Sequence, residues 1–346
     1  MPDDVIRSLL ASVPLPMVVI GPDARLLAMN DRAEGLIEGS LLGRHHTSAM
    51  RQPNLVAAIE AALQQGHAGM VIPVAFGGAY ESLWRVTVTP LGLGDGRGVV
   101  CAFENVTEQE QIGQVRRDFV ANVSHELRTP LTSLIGFIDT LRGPARDDAE
   151  ARQRFLDIME REASRMNRLV RDLLSLSRVE AQERLRPTET IDLRASIQLA
   201  LSALRQTVED AGVTVILAGA EGVLMVPADA DQLVQVWQNL VENAVKYGGH
   251  GKTVTIRLSA IDHDPVLRGA GVRVDVSDQG DGIDPVHLPR LTERFYRVDT
   301  HRSRAQGGTG LGLAIVKHIV NRHRGRFRIE SEIGKGSVFT VILPDS

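Results

Sequence analysis

Cysteine and long apolar segments are what this sequence of 346 residues most lacks. The single cysteine, Cys101, cannot form an intramolecular disulfide, so we expect a reducing compartment. Its apolar surroundings predict a buried small side chain rather than a reactive thiol. No stretch approaches the roughly 18–20 apolar residues that cross a bilayer, and the N-terminus lacks a signal-peptide pattern. The sequence therefore favours a cytoplasmic protein, or the cytosolic portion of a membrane-anchored one.

A strong charge excess is also absent, since the formal net charge is −4. This balance gives no indication of a nucleic-acid partner. Hydrophobic residues make up 43% of the chain and charged residues 24%, which is typical of globular protein and argues against extensive disorder. The length leaves room for about two or three domains, and the residue pattern divides the chain into three regions.

Residues 1–106 alternate short apolar runs with turn residues. This pattern predicts an α+β domain with a small antiparallel sheet and helices on one side. Gly21-Pro22-Asp23 separates two apolar runs and predicts a hairpin. The predicted strands are 17–20, 25–29, 80–90 and 98–103, and the predicted helices are 31–37 and 55–64.

Residues 107–183 show helical periodicity without strand signals. Thr107 and Glu110 fit a capping box that would begin the first helix, and Gly143-Pro144 would end it. A second helix is expected at about 148–179. Two antiparallel helices of this length cannot bury their apolar stripes alone, so we expect a homodimer whose hairpins form a four-helix bundle.

Residues 184–346 return to a mixed α/β pattern. The predicted strands are 213–217, 253–258, 272–276, 327–330 and 338–343, and the predicted helices are 232–246 and 313–322. The segment Arg186-Pro187-Thr188 predicts a hinge between this region and the helical one.

A histidine lies on the solvent side of the first long helix. Helical residues are about 100° apart, which places His125 about 200° round the helix from the apolar stripe through Val123. Thr129 shares the face of His125, and Glu126 is the nearest carboxylate. An exposed neutral imidazole is a competent nucleophile toward phosphorus, and Glu126 is placed to polarise or deprotonate it. No second histidine follows at the spacing of a zinc-protease motif, which excludes that motif here.

The third region contains a helix end that suits a metal-bound phosphate. Asn239, Asn243 and Lys246 are four and three residues apart, so their side chains share one helical face. Asn243 offers Mg²⁺ an oxygen ligand, and Lys246 offers a phosphate a positive charge.

Two glycine-rich segments add to a nucleotide site. Asp278 follows a predicted strand and can accept a hydrogen bond from an adenine amino group, while Gly280 and Gly282 allow a flat base to approach the backbone. Residues 307–312 open a predicted helix, where free backbone amides face an anion. The P-loop, the dinucleotide fingerprint and the protein-kinase catalytic-loop signature are all absent, so a nucleotide site must be of another type.

From about residue 109 to residue 344 the chain resembles the bacterial sensor histidine kinases of two-component systems. Residues 119–131 resemble the phosphoacceptor box of that family, and residues 239–247 resemble its N box. The segments 278–282, 294–297 and 308–313 are similar to the first glycine box, the F box and the second glycine box. Residues 334–337 match a late Gly-x-Gly-Ser element. Motifs in this order make the resemblance specific.

The resemblance implies an ATP-dependent protein-histidine kinase that phosphorylates itself on His125 and passes the phosphoryl group to an aspartate in the receiver domain of a response regulator. It implies Glu126 as the base and, with Thr129, a pair linked to dephosphorylation of the regulator. Asn243 would bind Mg²⁺ and Asp278 would bind adenine, with residues between Ile283 and Gly312 as a lid. The implied ATP site comprises Asn239, Asn243, Lys246, Tyr247, Asp278, Gly280, Gly282, Ile283, Phe295, Arg297, Gly308, Thr309, Gly310, Leu311 and Gly312.

The resemblance also implies the fold class, a multidomain α+β protein. Residues 107–183 would be the dimerisation and histidine phosphotransfer hairpin, and residues 184–346 a Bergerat-type α/β sandwich that binds ATP. Residues 1–106 resemble a PAS sensor domain of unspecified ligand, with Asn30 after the second strand. Asn105-Val106-Thr107 resembles the Asp-x-Thr segment that joins such domains to a signalling helix, with Asn in place of Asp. As a whole, the chain resembles the phosphate-responsive sensor kinases, which also carry one PAS domain before this type of core.

Two other functions stay open at this stage. The chain is a regulator phosphatase with minor kinase activity if Glu126 and Thr129 dominate its chemistry. It is a non-enzymatic PAS-driven dimerisation scaffold if the ATP domain is degenerate. The intact Asn243, Asp278 and glycine boxes argue against the scaffold.

Overall fold

The computed structural model describes residues 2–37, 41–67, 70–76, 82–94, 96–183, 185–220, 222–249, 251–298 and 308–345. The chain forms two compact units, Met1–Ala121 and Asn122–Ser346. The change from one unit to the other falls within a single long helix, α4 (Thr107–Arg142). Among the described residues, none of the helices combines the length and the apolar character that crossing a membrane requires.

The first unit contains a five-stranded antiparallel sheet with strand order β2-β1-β5-β4-β3, which confirms the predicted antiparallel sheet and its first hairpin. Two of its elements were not predicted, α1 and β3. The edge strand β3 contains Pro73, which weakens a strand pattern but is tolerated at a sheet edge. The elements are α1 (Pro2–Ser12), β1 (Met17–Ile20), β2 (Leu26–Met29), α2 (Asp31–Glu34), α3 (Pro53–Gln65), β3 (Met70–Phe76), β4 (Ser82–Leu93) and β5 (Gly96–Asn105).

The core of this unit lies between α3 and the sheet. The buried residues of α3 are Leu55, Ala58, Ile59 and Ala62, whose three- and four-residue spacing places them on one helical face. Cys101 of β5 is fully buried in the same core, and burial raises the pKa of its thiol to about 12. The prediction of a small buried side chain is therefore confirmed.

Asn30 joins three elements of the first unit through its side chain. Its Oδ1 accepts hydrogen bonds from the backbone N–H groups of Met17, at 3.0 Å, and Ala33, at 3.1 Å. Its Nδ2 donates to the carbonyl oxygens of Leu10 and Leu15. All of these bonds are internal to the unit, so Asn30 has a structural role.

The start of α4 corrects one prediction. The helix does begin at Thr107, but the Thr107 hydroxyl does not form the predicted capping box with Glu110. It accepts a hydrogen bond from the backbone N–H of Leu83 at 2.8 Å and so joins α4 to β4. The side chain of Asn105 accepts from the backbone N–H of Thr107 instead. The Thr107 hydroxyl thus bonds to Leu83, which is distant in the sequence, and not to the first turn of its own helix.

The second unit begins with the antiparallel pair of α4 and α5 (Ala149–Gln182), which confirms the predicted long helices. Asp148 caps α5 by accepting from two backbone N–H groups of its first turn, and Phe137 and Phe155 stack between the helices with ring centroids 5.3 Å apart. Large apolar side chains stay exposed on both helices. They include Leu131, Ile135, Ile138, Leu156, Val170 and Leu174.

The rest of the second unit is an α/β sandwich, as predicted. Its five-stranded sheet has the order β11-β12-β10-β9-β7, with β7 and β9 parallel and the other pairs antiparallel. Helix α8 packs on β9 and β10, and α6 and α9 pack on α8. The elements are β6 (Thr190–Asp192), α6 (Leu193–Ala203), α7 (Arg205–Asp210), β7 (Thr214–Gly219), β8 (Met225–Pro227), α8 (Ala230–Gly248), β9 (Thr253–Asp264), β10 (Gly269–Ser277), α9 (Gly312–Arg322), β11 (Arg326–Glu332) and β12 (Gly336–Pro344).

The end of α9 fixes the start of α8. His323 is fully buried, its Nδ1 donates to the carbonyl of Ile319 at 2.7 Å, and its Nε2 accepts from the backbone N–H of Asp229 at 3.0 Å. Asp229 is the N-cap of α8, and its carboxylate also pairs with Arg322 at 3.0 Å. Both ring nitrogens are used by the neutral imidazole, and burial lowers the pKa of His323 below its ordinary value.

This arrangement predicts a pH-dependent stability. Because the pKa of His323 is lower in the folded state, the unfolded state binds more protons below about pH 6.5, and the free energy of unfolding falls there by up to about 1.4 kcal/mol per pH unit. We expect His323→Gln to be less stable at pH 7.5 and to lose this dependence. Both the stability at pH 7.5 and its pH dependence are measured by urea unfolding between pH 7.5 and 5.5. Unfolding is monitored through the fluorescence of Trp237 in a Trp84→Phe background.

His263→Gln is the matched control, because His263 is an exposed histidine of the same unit. It should keep both the stability and the pH slope of the parent. An unchanged slope in His323→Gln would contradict the assignment of the slope to His323.

Candidate functional site

A cavity of about 580 Å³ opens in the second unit where α8, the end of β10 and the start of α9 meet. Most of the residues that the sequence assigned to nucleotide binding line it. They are Asn239, Asn243, Lys246, Tyr247, Asp278, Gly282, Ile283, Arg297, Gly308, Thr309, Gly310 and Gly312. The structure thus brings together segments that are separate in the sequence.

Helix α8 supplies the polar face of the cavity. Its buried residues at 233, 236, 237, 240, 241 and 244 pack inward, which leaves Asn239, Asn243 and Lys246 on the cavity side. Burial, followed by the nearby charges of Arg297 and Arg168, lowers the pKa of Lys246 to about 8. An anion that enters the cavity would stabilise the charged form of Lys246.

Asp278 forms the far end of the cavity. It is buried, and its Oδ1 accepts from the backbone N–H groups of Gly280 at 2.8 Å and Ser337 at 3.3 Å. Within the described residues, Oδ2 receives no hydrogen bond. Burial raises the pKa of Asp278 above its ordinary value, while the two backbone donors oppose that rise. The carboxyl group is thus fixed in position with one oxygen available to a ligand.

Two of the glycines have a packing role that the sequence did not suggest. A Cβ atom on Gly280 would overlap the carbonyl oxygen of Tyr247, so the first glycine box packs directly on the end of α8. A Cβ on Gly312 would lie 2.8 Å from Oδ1 of Asn239. These glycines let segments of the protein approach one another, and the cavity is the result of that packing.

Three residues assigned to the nucleotide site do not line the cavity. Gly280 lies against the backbone of Tyr247, and Leu311 is fully buried. The backbone N–H of Phe295 donates to the carbonyl of Gly310 at 2.8 Å, so Phe295 joins the F box to the second glycine box. Of the predicted lid, residues 299–307 lie outside the described residues.

Helix α5 forms a wall of the cavity that the sequence did not predict. Arg168, Arg171 and Asp172 line it. The hydroxyl of Thr309 donates to Oδ2 of Asp172 at 2.7 Å. Burial raises the pKa of Asp172, and this hydrogen bond opposes the rise. Charged residues on a long helix are typical of a solvated face, so no local signal marked them.

Further polar contacts hold the sandwich on α5. Ser175 donates to Gln235 of α8 at 2.7 Å, and Arg294 pairs with Glu180 at 2.6 Å. His318 of α9 lies 3.3 Å from Glu183. These contacts follow the same side of α5 for several turns.

The candidate phosphoacceptor region lies on α4. His125 is exposed, as the helical geometry predicted, and does not line the cavity. The hydroxyl of Thr129 donates to the carbonyl of His125 at 3.2 Å. The carboxylate of Glu126 pairs with Arg165 of α5 and, at 3.4 Å, with Arg297. Since Arg297 also lines the cavity, it links the cavity to the residue beside His125.

Comparisons with known proteins agree with this division. The family model of the His Kinase A (phospho-acceptor) domain matches residues 115–182. The model of the histidine kinase-, DNA gyrase B- and HSP90-like ATPase matches residues 228–346. These matches cover the α4–α5 hairpin and most of the sandwich.

Two sensor proteins illustrate the similarity in sequence. The phosphate regulon sensor protein PhoR of Pseudomonas aeruginosa is 45% identical over 244 residues, which are 68% of this chain and 52% of that protein. The sensor protein kinase WalK of Staphylococcus aureus is 38% identical over 247 residues, which are 71% of this chain and 58% of that protein. The chain thus spans little more than half the length of these relatives.

Solved structures show the same fold. Histidine kinase AdeS of Acinetobacter baumannii has a TM-score of 0.50 at 26% identity, over 64% of this chain and 98% of that one. Histidine kinase ThkA, solved in complex with the response regulator protein TrrA, has a TM-score of 0.52 over 98% of both chains. Its identity of 22% makes this a similarity of fold alone.

The packing of Gly280 predicts the effect of a single methyl group. Gly280→Ala should force the first glycine box away from Tyr247, lower the free energy of unfolding by about 1–3 kcal/mol and weaken ATP binding. Calorimetric titration with ATP and urea unfolding measure the two effects. Gly269→Ala is the control, because no atom lies within 4 Å of its added Cβ. Equal ATP affinity in both variants would contradict this role of Gly280.

Proposed function

Because the chain belongs to the bacterial sensor histidine kinases, we propose that it transfers the γ-phosphoryl group of ATP to His125 and then to an aspartate of a response regulator. One observation carries the proposal. An exposed histidine on the phosphoacceptor helix and a cavity lined by the nucleotide motifs belong to one compact unit. With ATP as donor, we place the reaction in the cytoplasm.

The residues of the cavity fit a magnesium–adenosine triphosphate complex. Oδ2 of Asp278 would accept a hydrogen bond from the amino group of adenine. The exposed ring of Tyr247 lies at the end of α8 on which the first glycine box packs. Lys246 places a positive charge in the cavity for the phosphates. Among the described residues no group of three His, Cys, Asp or Glu side chains could hold a metal ion. Asn243 lines the cavity and would share Mg²⁺ with the phosphates, where the ion would offset their charge.

In the proposed reaction a bond forms between an imidazole nitrogen of His125 and the γ-phosphorus of ATP. The bond from that phosphorus to the β,γ-bridging oxygen breaks, and ADP leaves. Glu126 would hold the proton of the other ring nitrogen or remove it. Its pairs with Arg165 and Arg297 hold this carboxylate, and Glu126 would have to leave one of them to act on the imidazole. Positioning and charge neutralisation supply most of the catalysis.

The proposed partner is the receiver domain of a response regulator. The structure of ThkA was solved in complex with such a protein, TrrA. His125 and Thr129 are both exposed on α4, so a receiver domain has access to both. This arrangement supports regulator dephosphorylation as a second activity, assigned to Glu126 and Thr129.

We propose a homodimer that forms through α4 and α5. The exposed apolar side chains of the two helices, among them Ile135, Ile138, Val170 and Leu174, support it, because a partner hairpin would bury them. We propose domain boundaries at 106/107 and 183/184, which are supported by the start of α4 at Thr107 and the end of α5 at Gln182. The strand order of the first unit supports a PAS-like sensor. The hinge at Arg186-Pro187-Thr188 stays a prediction.

Autophosphorylation with γ-labelled ATP and Mg²⁺ tests the proposed function. The intact chain should take up label that resists alkali and is lost in acid, as a phosphorus–nitrogen bond requires. His125→Ala should lose the label and still bind ATP, because His125 does not line the cavity. Asn243→Ala should lose both.

His263→Ala serves as the control for replacing a histidine, since His263 is exposed and lies outside both the cavity and the phosphoacceptor helix. It should keep the label. An unlabelled wild-type chain that still binds ATP would overturn the kinase assignment and favour the phosphatase. A chain that binds no ATP at all would favour the dimerisation scaffold.

A further inference from the structure

Arg168 places a positive charge in the nucleotide cavity from outside the ATP-binding sandwich. It lies on α5, within the region matched by the phosphoacceptor family model, and it lines the cavity together with Lys246 and Arg297. Within the described residues, the guanidinium of Arg168 forms no hydrogen bond or ion pair. As far as the described residues go, this guanidinium is therefore available to a ligand in the cavity.

The residues around Arg168 show which end of the cavity it lines. Its charge acts on Lys246, on Glu242 and on Asp172. Asp172 accepts from Thr309 of the second glycine box. Asp278, the candidate adenine residue, is not among the groups on which Arg168 acts. Arg168 therefore belongs to the end of the cavity formed by Lys246 and the second glycine box.

The charges of Arg168 and Arg297 both act on Lys246, so the cations of these residues lie close together at this end. Their mutual repulsion costs free energy in the free protein and becomes attraction when a polyanion enters between them. A guanidinium is suited to phosphate oxygens, since it presents parallel N–H donors and keeps its charge at any working pH.

We propose that Arg168 binds the phosphate chain of the nucleotide, so that the phosphotransfer hairpin itself completes the ATP site. The inference rests on the proposed function, because it takes ATP as the ligand. It makes α5 a part of the binding site as well as of the dimerisation hairpin. ATP bound in this arrangement holds the sandwich on α5 more firmly.

Nucleotide binding to the full chain tests the role of Arg168 without measuring catalysis. We expect Arg168→Ala to weaken ATP binding about 10-fold, the loss of one charge-assisted hydrogen bond, and to leave adenosine binding unchanged. Arg168→Lys should recover part of the affinity. The increase in thermal midpoint caused by ATP should shrink in parallel. The midpoint without nucleotide should not fall, because Arg168 is exposed and its removal relieves repulsion with Lys246.

Arg161→Ala is the matched control, because Arg161 lies seven residues earlier on the same helical face and outside the cavity. It should bind ATP as the wild type does. Unchanged or tighter ATP binding in Arg168→Ala would overturn the proposal, and so would an equal loss for adenosine. Absence of ATP binding in the wild type would instead contradict the proposed function, so the two failures are distinguishable.

Discussion

The packing of the sandwich against α5 is the constraint on which the nucleotide cavity depends. Within it, the hydrogen bond between Thr309 and Asp172 joins the second glycine box of the sandwich to α5 of the phosphotransfer hairpin, and both residues line the cavity. Ser175, Glu180 and Glu183 extend the same interface along α5. Because α5 also pairs with α4 through Phe137 and Phe155, a change at the cavity reaches the helix that carries His125 through contacts in one compact unit.

The nucleotide cavity is formed by motifs that pack on one another. Gly312 leaves room for Asn239, Gly310 bonds to Phe295, and Gly280 lies on the carbonyl of Tyr247. Each contact joins two segments that are distant in the sequence. A side chain larger than hydrogen at Gly280 would meet the backbone of Tyr247 and separate these segments, while one at Gly312 would displace the side chain of Asn239. The need for glycine at Gly280 thus follows from internal packing before any ligand is considered.

Structural features that depend on neighbouring residues in the chain could be predicted from the sequence. The helical period predicted the exposure of His125, and the alternation of apolar residues predicted most strands of both sheets. Features with a distant cause were missed or misassigned. The hydroxyl of Thr107 bonds to Leu83, 24 residues away, so local spacing suggested a capping box that does not form. In the sequence, Arg168 belongs to the charged face of a helix, which is normally solvated. Only the docking of the sandwich on α5 places it at the cavity.

The most direct test of the central claim is to locate the phosphoryl group by mass spectrometry after incubation with ATP and Mg²⁺. Cleavage after Arg117 and Arg128 releases a peptide, residues 118–128, that contains a single histidine, His125, and a single hydroxyl side chain, that of Ser124. We predict that the phosphoryl group lies on His125 when the peptide is analysed at neutral or alkaline pH. A phosphoryl group on Ser124, or on any other peptide with this one unmodified, would contradict it.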